Sequence, residues 1–334
     1  MEAPVRAHAP HHWRLLPSPH QIKRDFLSLA DLTPREFRDL LALTEEVKRQ
    51  RGDYRDALWG RCAALLFEKP SLRTRVTFQV GMTQLGGQAI YLAPGDIALG
   101  KRESVSDVAR NLARWVDVLV IRTFAHCTLE EMAAAAPIPV INALSDRLHP
   151  CQAVADLLTI REHKERLAGI QLAYVGDSNN VAHALLQACA LAGAHLTLAS
   201  PPGYEPEATI FARAQETARN SGAELRVTND PADAVRGADA VYTDVWTSMG
   251  QEAETETRRS AFAAYQVNRA LMNLAKPDAI FLHCLPAHRG EEVSTEILDG
   301  LQSVVLDQAE NRLHVHKALL LALLDDSPRR ENLT

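Results

Sequence analysis

None of the five cysteines in this 334-residue sequence falls in a CxxC pair. Cys62, Cys127, Cys151, Cys189 and Cys284 are scattered and odd in number, which excludes a disulfide framework and fits free thiols in a reducing, cytoplasmic compartment. His149 with Cys151, and His314 with His316, lack a matching second half, so no metal is expected. No apolar run approaches the roughly 20 residues of a membrane span, so no membrane role is expected. Positive charge is also short: the net charge of -6 argues against a nucleic-acid surface while leaving room for a local basic pocket. The glycines and lysine of a P-loop are missing, and so is a GxGxxG fingerprint after the strand in "YVGDSNN", which argues against nucleoside triphosphates and against a dehydrogenase. There is no internal repeat.

What remains is a chain with 46% hydrophobic and 23% charged residues, long enough for two domains. Residues 1–24 have no apolar core followed by a cleavage site and are expected to form a flexible extension rather than a secretory signal. From residue 25 onward, short apolar runs alternate with helical patterns, as parallel α/β folds require. The first series has strand "AALLF" (63–67), a helix over 74–85, a helix over 106–115 capped by Ser106, and strand "DVLVIR" (117–122). The second has strands "IQLAYVG", "HLTLAS", "ELRVT", "ADAVYTD" and "DAIFLHCL", with Gly193 stopping the helix after the first. The pattern predicts two doubly wound parallel-sheet domains of similar size, the second Rossmann-like, linked by interdomain helices. The expected limits are 25–149 and 150–309, with a last helix over about 310–330 packing back on the first domain.

Five polar clusters follow predicted strands at their C-terminal ends: "EKPSLRTR", Arg122, "GDSNN", "DVWTSMGQE" and "HCLPAHRG". Open α/β sheets bind ligands at that edge. In "PSLRTR", Ser71 and Thr74 are hydroxyl donors at a helix start whose free amides favour an anion, and Arg73 adds a planar fork. Spacing alone fits equally a phosphate cradle or a capped helix with solvated arginines. "HPCQ" puts Pro150 at a helix start, His149 before it and Gln152 in the first turn, as a capping histidine or as donors around a developing oxyanion. Cys151 and His149 diverge at a helix start, which disfavours a thiol nucleophile.

Together "FEKPSLRTRVTF", "HPCQ", "DVWTSMGQE", "HCLPAHRG" and "AENRLHVHKALL" resemble the aspartate/ornithine transcarbamoylase family, in family order and over about residues 25–325. HPCQ, SMG and HCLP match its ornithine branch rather than its aspartate branch. The resemblance implies transfer of the carbamoyl group of carbamoyl phosphate to the side-chain amine of L-ornithine, giving L-citrulline and phosphate without a cofactor. It also implies a homotrimer that can assemble further. By matched motif, Ser71, Leu72 through its amide, Arg73 and Thr74 would hold phosphate. Arg122, His149, Gln152 and Arg312 would surround the carbamoyl group. Asn180, Asp244, Ser248 and Met249 would hold the amino-acid end of ornithine, with Cys284 and Leu285 near its reacting amine. The catalytic set would be Arg122, His149, Cys284 and Arg312. The first domain, with the last helix, would bind carbamoyl phosphate and the second ornithine.

Two positions depart from the family pattern. Leu72 stands where Thr is common, and Ala98 where many relatives use Gln or His to reach a neighbouring subunit's carbamoyl phosphate; Lys101 could compensate. A carbamoyltransferase for another amine such as putrescine is the alternative, but Asp244 and the SMG segment favour an amino-acid acceptor. A catalytically silent relative is disfavoured because every expected motif is intact.

Overall fold

The computed structural model describes residues 24–50, 52–97, 99–100, 102–248 and 250–324. Two parallel sheets form its centre. The first contains β1 (Cys62–Phe67), β2 (Gln88–Leu92), β3 (Val118–Arg122) and β4 (Val140–Leu144) in the order β2-β1-β3-β4. The second contains β5 (Gln171–Val175), β6 (His195–Ala199), β7 (Leu225–Thr228), β8 (Ala240–Thr243) and β9 (Ile280–His283) in the order β7-β6-β5-β8-β9. Parallel strands need crossover helices, which cover both faces, so their side chains are apolar without alternation. β3 and β4 are buried at every residue.

These strand orders decide where a ligand can sit. In the first sheet the chain leaves β1 toward β2 and then returns to place β3 on β1's other side; in the second, β5 stands between β6 and β8. Crossovers that depart in opposite directions open a crevice at the strand ends. One crevice therefore lies beyond Phe67 and Arg122, the other beyond Val175 and Thr243.

Two helices join the halves. Pro150–Lys164 starts with proline at a position that needs no amide donor and runs between the sheets, buried from Pro150 through Ile160. The C-terminal helix Val305–Leu324 packs on it and on the first-domain helices Pro34–Arg49 and Arg73–Gln84, as expected from the sequence. Leu319, Leu320 and Leu321 are buried in that contact, and His316 stacks on Phe78 with ring centroids 3.7 Å apart. Gly193 ends the helix after β5 at φ 73°, as expected.

One capping assignment is corrected. The helix expected over 106–115 is Val105–Leu112, and Ser104 caps it by accepting from the Asp107 amide; Ser106 lies inside. Both serines precede the same apolar stripe, so composition does not distinguish them. Strands β2 and β4 have no counterpart in the sequence reading. No described helix is long and apolar enough to cross a membrane.

Candidate active site

The first crevice collects cationic and hydroxyl groups. After β1, the chain turns into the Arg73–Gln84 helix with Leu72 at its N-cap, and no side chain caps that end. Its first amides are left to another acceptor, with the positive end of the helix behind them. Ser71 and Arg73 are half-buried at this terminus and Thr74 is buried. Arg122 is the cross-strand neighbour of Phe67, so it ends β3 beside the same turn. Its side chain is buried, and Nε has no hydrogen-bond partner.

His149 occupies the N-cap of Pro150–Lys164 but makes no side-chain cap, so the capping role considered for it does not occur. Its buried Nδ1 has no partner. Arg312, buried on the C-terminal helix, closes the floor: Nη1 donates to Gln152 Oε1, and Nη2 to Thr74 Oγ1 at 3.0 Å. Gln152 Nε2 donates to Asp156 Oδ1 at 2.7 Å.

The electrostatics are those of a site awaiting an anion. Burial, reinforced by the charges of Arg312 and Arg73, lowers Arg122 to about 10. Burial lowers Arg312 and Arg73 too. Burial, together with Arg312, Arg122, His316 and Arg73, holds His149 well below an ordinary histidine. It is therefore a neutral imidazole near pH 7, able to donate one N–H. Unpaired cations converging in a cleft are a recognised mark of a functional site.

The second crevice has the opposite sign. Asp244, just past β8, is buried and accepts from Asn179 Nδ2 at 2.8 Å, Cys284 Sγ at 2.9 Å and the Val245 amide at 2.8 Å. Burial and the Asp244 carboxylate push the Cys284 thiol well above its usual range, so it is a neutral donor. Leu285 follows at φ 58° before a cis bond to Pro286, and its amide donates to His283 Nδ1 at 2.8 Å. That acceptor role leaves the ring proton on Nε2, which donates to Glu292 at 3.2 Å. Ser248 is half-buried, its amide on Gln251 Oε1. Met249 lies outside the described residues, as do Ala98 and Lys101. Asn180 faces away from this cluster: its Nδ2 donates to the Ser145 carbonyl at 2.6 Å, tying the second domain to the loop after β4.

The two crevices face each other, since the Asp244 carboxylate opposes the lowering that burial imposes on Arg73. A contact at their rim also joins them: a Cβ on Gly250, which turns at φ 99°, would stand 3.5 Å from Phe124 just after β3. Lys69 Nζ lies 4.4 Å from the same Phe124 ring. Arg75 is exposed, with its guanidinium 3.7 Å from the centre of the Tyr91 ring.

The sequence reading missed Asp156, Gln308, His316 and Lys69. A signal for the middle two was present: Gln308, Arg312 and His316 recur every four residues and so share one helix face. Asp156 stands four residues after Gln152 in the same way. Burial raises Asp156 to about 7, opposed by hydrogen bonds from Gln152 and Gln308 and by Arg312.

Metal-capable triads occur near the second crevice but are already committed. In Asp244, His283 and Cys284, both histidine nitrogens are engaged and the thiol keeps its proton. In His288, Glu291 and Glu292, Glu291 pairs with Arg259 at 2.7 Å.

Residues 24–162 match the family model for the aspartate/ornithine carbamoyltransferase carbamoyl-P binding domain, and residues 168–323 match its Asp/Orn binding domain. The chain belongs to this family. It is 54% identical to an ornithine carbamoyltransferase of Anoxybacillus flavithermus over 90% of this chain and 96% of that one. It is 52% identical to that of Bacillus subtilis, over 90% and 94%. The solved ornithine carbamoyltransferase of Pyrococcus furiosus superposes with a TM-score of 0.88 at 48% identity, covering 91% of this chain and 97% of that one. The Thermus thermophilus enzyme gives 0.82 at 48%, covering 91% and 100%. Family membership gives the two crevices their proper scale: each sits in one of the two matched domains, and the helices carrying Gln152 and Arg312 lie between them.

Proposed function

We infer that the protein is an ornithine carbamoyltransferase, moving the carbamoyl group of carbamoyl phosphate to the side-chain amine of L-ornithine. The observation that carries this reading is the charge split of the cleft. Three unpaired arginines and a neutral histidine face a carboxylate and a thiol on the other domain. The cation side suits phosphate, and the acid side an amino-acid ammonium. Nothing in the comparisons supports putrescine, which keeps both amines of ornithine but lacks its carboxylate.

In this reading the carbamoyl-phosphate domain is 25–149 with the C-terminal helix, and the ornithine domain is 150–309. Ser71, Arg73, Thr74 and the Leu72 amide take the phosphate oxygens, and Arg122, His149 and Arg312 take the carbonyl oxygen, with Gln152 beside the carbamoyl nitrogen. Asp244 takes the α-ammonium, with Asn180, Ser248 and Met249 around the amino-acid end. Asn180 must then exchange its bond to Ser145 for one to substrate. Cys284 and Leu285 stand at the reacting amine.

A free alkylammonium titrates near about 10.4, so the amine must enter unprotonated, and a dry pocket lined by a neutral thiol favours that form. Its nitrogen attacks the carbonyl carbon and a C–N bond forms. The oxyanion that develops meets donors already in place, which lowers the barrier without reorganisation. The intermediate collapses by breaking the C–O bond to phosphate, and the proton shed by nitrogen leaves on that phosphate. Orientation supplies much of the remaining acceleration.

Leu72, Val76 and Val80, spaced four residues apart at one helix, are exposed, as is Ile90 on edge strand β2. That surface supports a homotrimer, and a mass of three chains by light scattering is expected. A cytoplasmic location accords with the free thiols. The reaction is tested by offering carbamoyl phosphate with ornithine, putrescine, N-acetylornithine, lysine or aspartate and measuring ureido product. Ornithine is expected to exceed the others at least 100-fold in kcat/KM; turnover of another acceptor while ornithine fails overturns the specificity.

A further inference from the structure

We propose that Asp156 is a positioning residue that fixes both half-sites at once, through Gln152 on one side and Gln308 on the other. The inference rests on the carbamoyl-transfer reading. Asp156 is fully buried in the helix that runs between the sheets, two turns in from His149. Its Oδ1 accepts from Gln152 Nε2 at 2.7 Å and from Gln308 Nε2 at 2.6 Å.

A primary amide has nearly the same shape when its oxygen and nitrogen are exchanged, so packing alone does not choose between the two orientations. Asp156 Oδ1 accepts from both amides whether the group is ionised or carries a proton on Oδ2. It therefore draws the NH2 of each glutamine toward itself and turns each oxygen away. In Gln152 that oxygen meets Arg312, whose other nitrogen holds Thr74 in the anion cradle. In Gln308 it accepts from the His283 amide at 3.0 Å, at the end of β9 and one residue before Cys284. Gln308 Nε2 also donates to Tyr242 on β8, the strand that leads to Asp244. One acceptor atom thus sets the arginine of the carbamoyl half and the strand ends of the ornithine half, although Asp156 reaches neither substrate group.

Without that acceptor, either amide can flip. A flipped Gln152 turns its NH2 on the Arg312 guanidinium, donor against donor, and a flipped Gln308 does the same to the His283 amide. Both half-sites then loosen together. Asparagine keeps a carbonyl oxygen at the same position and can hold both amides; leucine cannot.

The test compares Asp156→Leu, Asp156→Asn and Gln308→Met with wild type, in steady-state kinetics varying each substrate, alongside thermal melting. Asp156→Leu is expected to raise KM for both carbamoyl phosphate and ornithine at least fivefold and to lower kcat at least tenfold. Asp156→Asn is expected to recover all three to within about threefold of wild type. Gln308→Met is expected to raise the ornithine KM at least threefold and leave that for carbamoyl phosphate within twofold. A residue that merely fills the core would change melting and active fraction but neither KM. The proposal is overturned if folded Asp156→Leu keeps both KM values within twofold, or if Asp156→Asn is as impaired as Asp156→Leu. If Asp156→Leu yields no folded protein, an unchanged ornithine KM in Gln308→Met overturns it instead. Wild type that fails to carbamoylate ornithine would count against the reaction, not against this role.

Discussion

Replacing Arg122 with methionine is expected to make the empty protein more stable while nearly abolishing its activity. Arg122 is buried, its Nε has no partner, and two further arginines crowd it. The drop from an ordinary value of 12.5 to about 10 corresponds, at about 1.4 kcal/mol per pH unit, to roughly 3 kcal/mol held against the charged side chain. Methionine keeps the apolar stem and removes the charge. Allowing about half for water that enters the cleft, the gain is about 1–2 kcal/mol, or an increase of a few degrees in Tm at this chain length. The oxyanion loses a charged donor, which costs about 3 kcal/mol or more at the transition state, at least 100-fold in kcat. The assay is melting of both proteins in phosphate-free buffer, repeated with saturating carbamoyl phosphate or inorganic phosphate. Wild type should melt below the variant without anion and recover or overtake it with anion, because ligand binding stabilises only the form that can hold it. A variant that melts more than 2 °C below wild type without anion would refute the reasoning, since Arg122 would then be supporting the fold.

His149 and His316 are both held well below the usual histidine value, by burial first and by Arg312 next. Their folded pKa lies below the unfolded one, so their share of stability is complete above about pH 6.5 and is lost as pH falls through that value toward the folded pKa. His149→Gln should therefore lose less stability than wild type between pH 6.5 and 5, by about 1 kcal/mol in urea titrations; equal slopes would contradict this. Gly250→Val forces a branched side chain into φ 99° beside Phe124 and should raise the ornithine KM at least threefold while costing about 1–2 kcal/mol of stability. Arg75→Gln loses its contact with Tyr91 and a long hydrogen bond to Gln79, both made by an exposed side chain, so stability should fall by less than about 1 kcal/mol and both KM values should stay within twofold.

Much of this site was legible before any coordinates because strand ends are marked by punctuation. Apolar runs such as "AALLF" and "DVLVIR" stop at polar residues, and parallel topology brings those stops to one edge. β2 was not legible for the opposite reason: "QAIYL" is a short edge strand with only partial burial, so its pattern is weak. The Ser106 cap failed at the level of one turn, where two serines compete and only backbone geometry decides. The bond between Asp156 and Gln308 was hidden because it joins residues 152 apart in sequence, although each stands four residues from a predicted site residue. Asn180 was legible as a candidate for the ornithine half, but not its bond to Ser145, which turns it away from that cluster and depends on how the two domains meet.

The central claim is that the arginine cradle of one domain and the Asp244–Cys284 cluster of the other are two halves of one site. Binding of a single molecule that joins a phosphonoacetyl group to the side-chain nitrogen of ornithine tests it most directly, measured by calorimetry against each half alone. Tethering turns the second contact into an intramolecular one, so the joined ligand should bind at least about 100-fold more tightly than the better half. An affinity no greater than that of the better half would contradict the account.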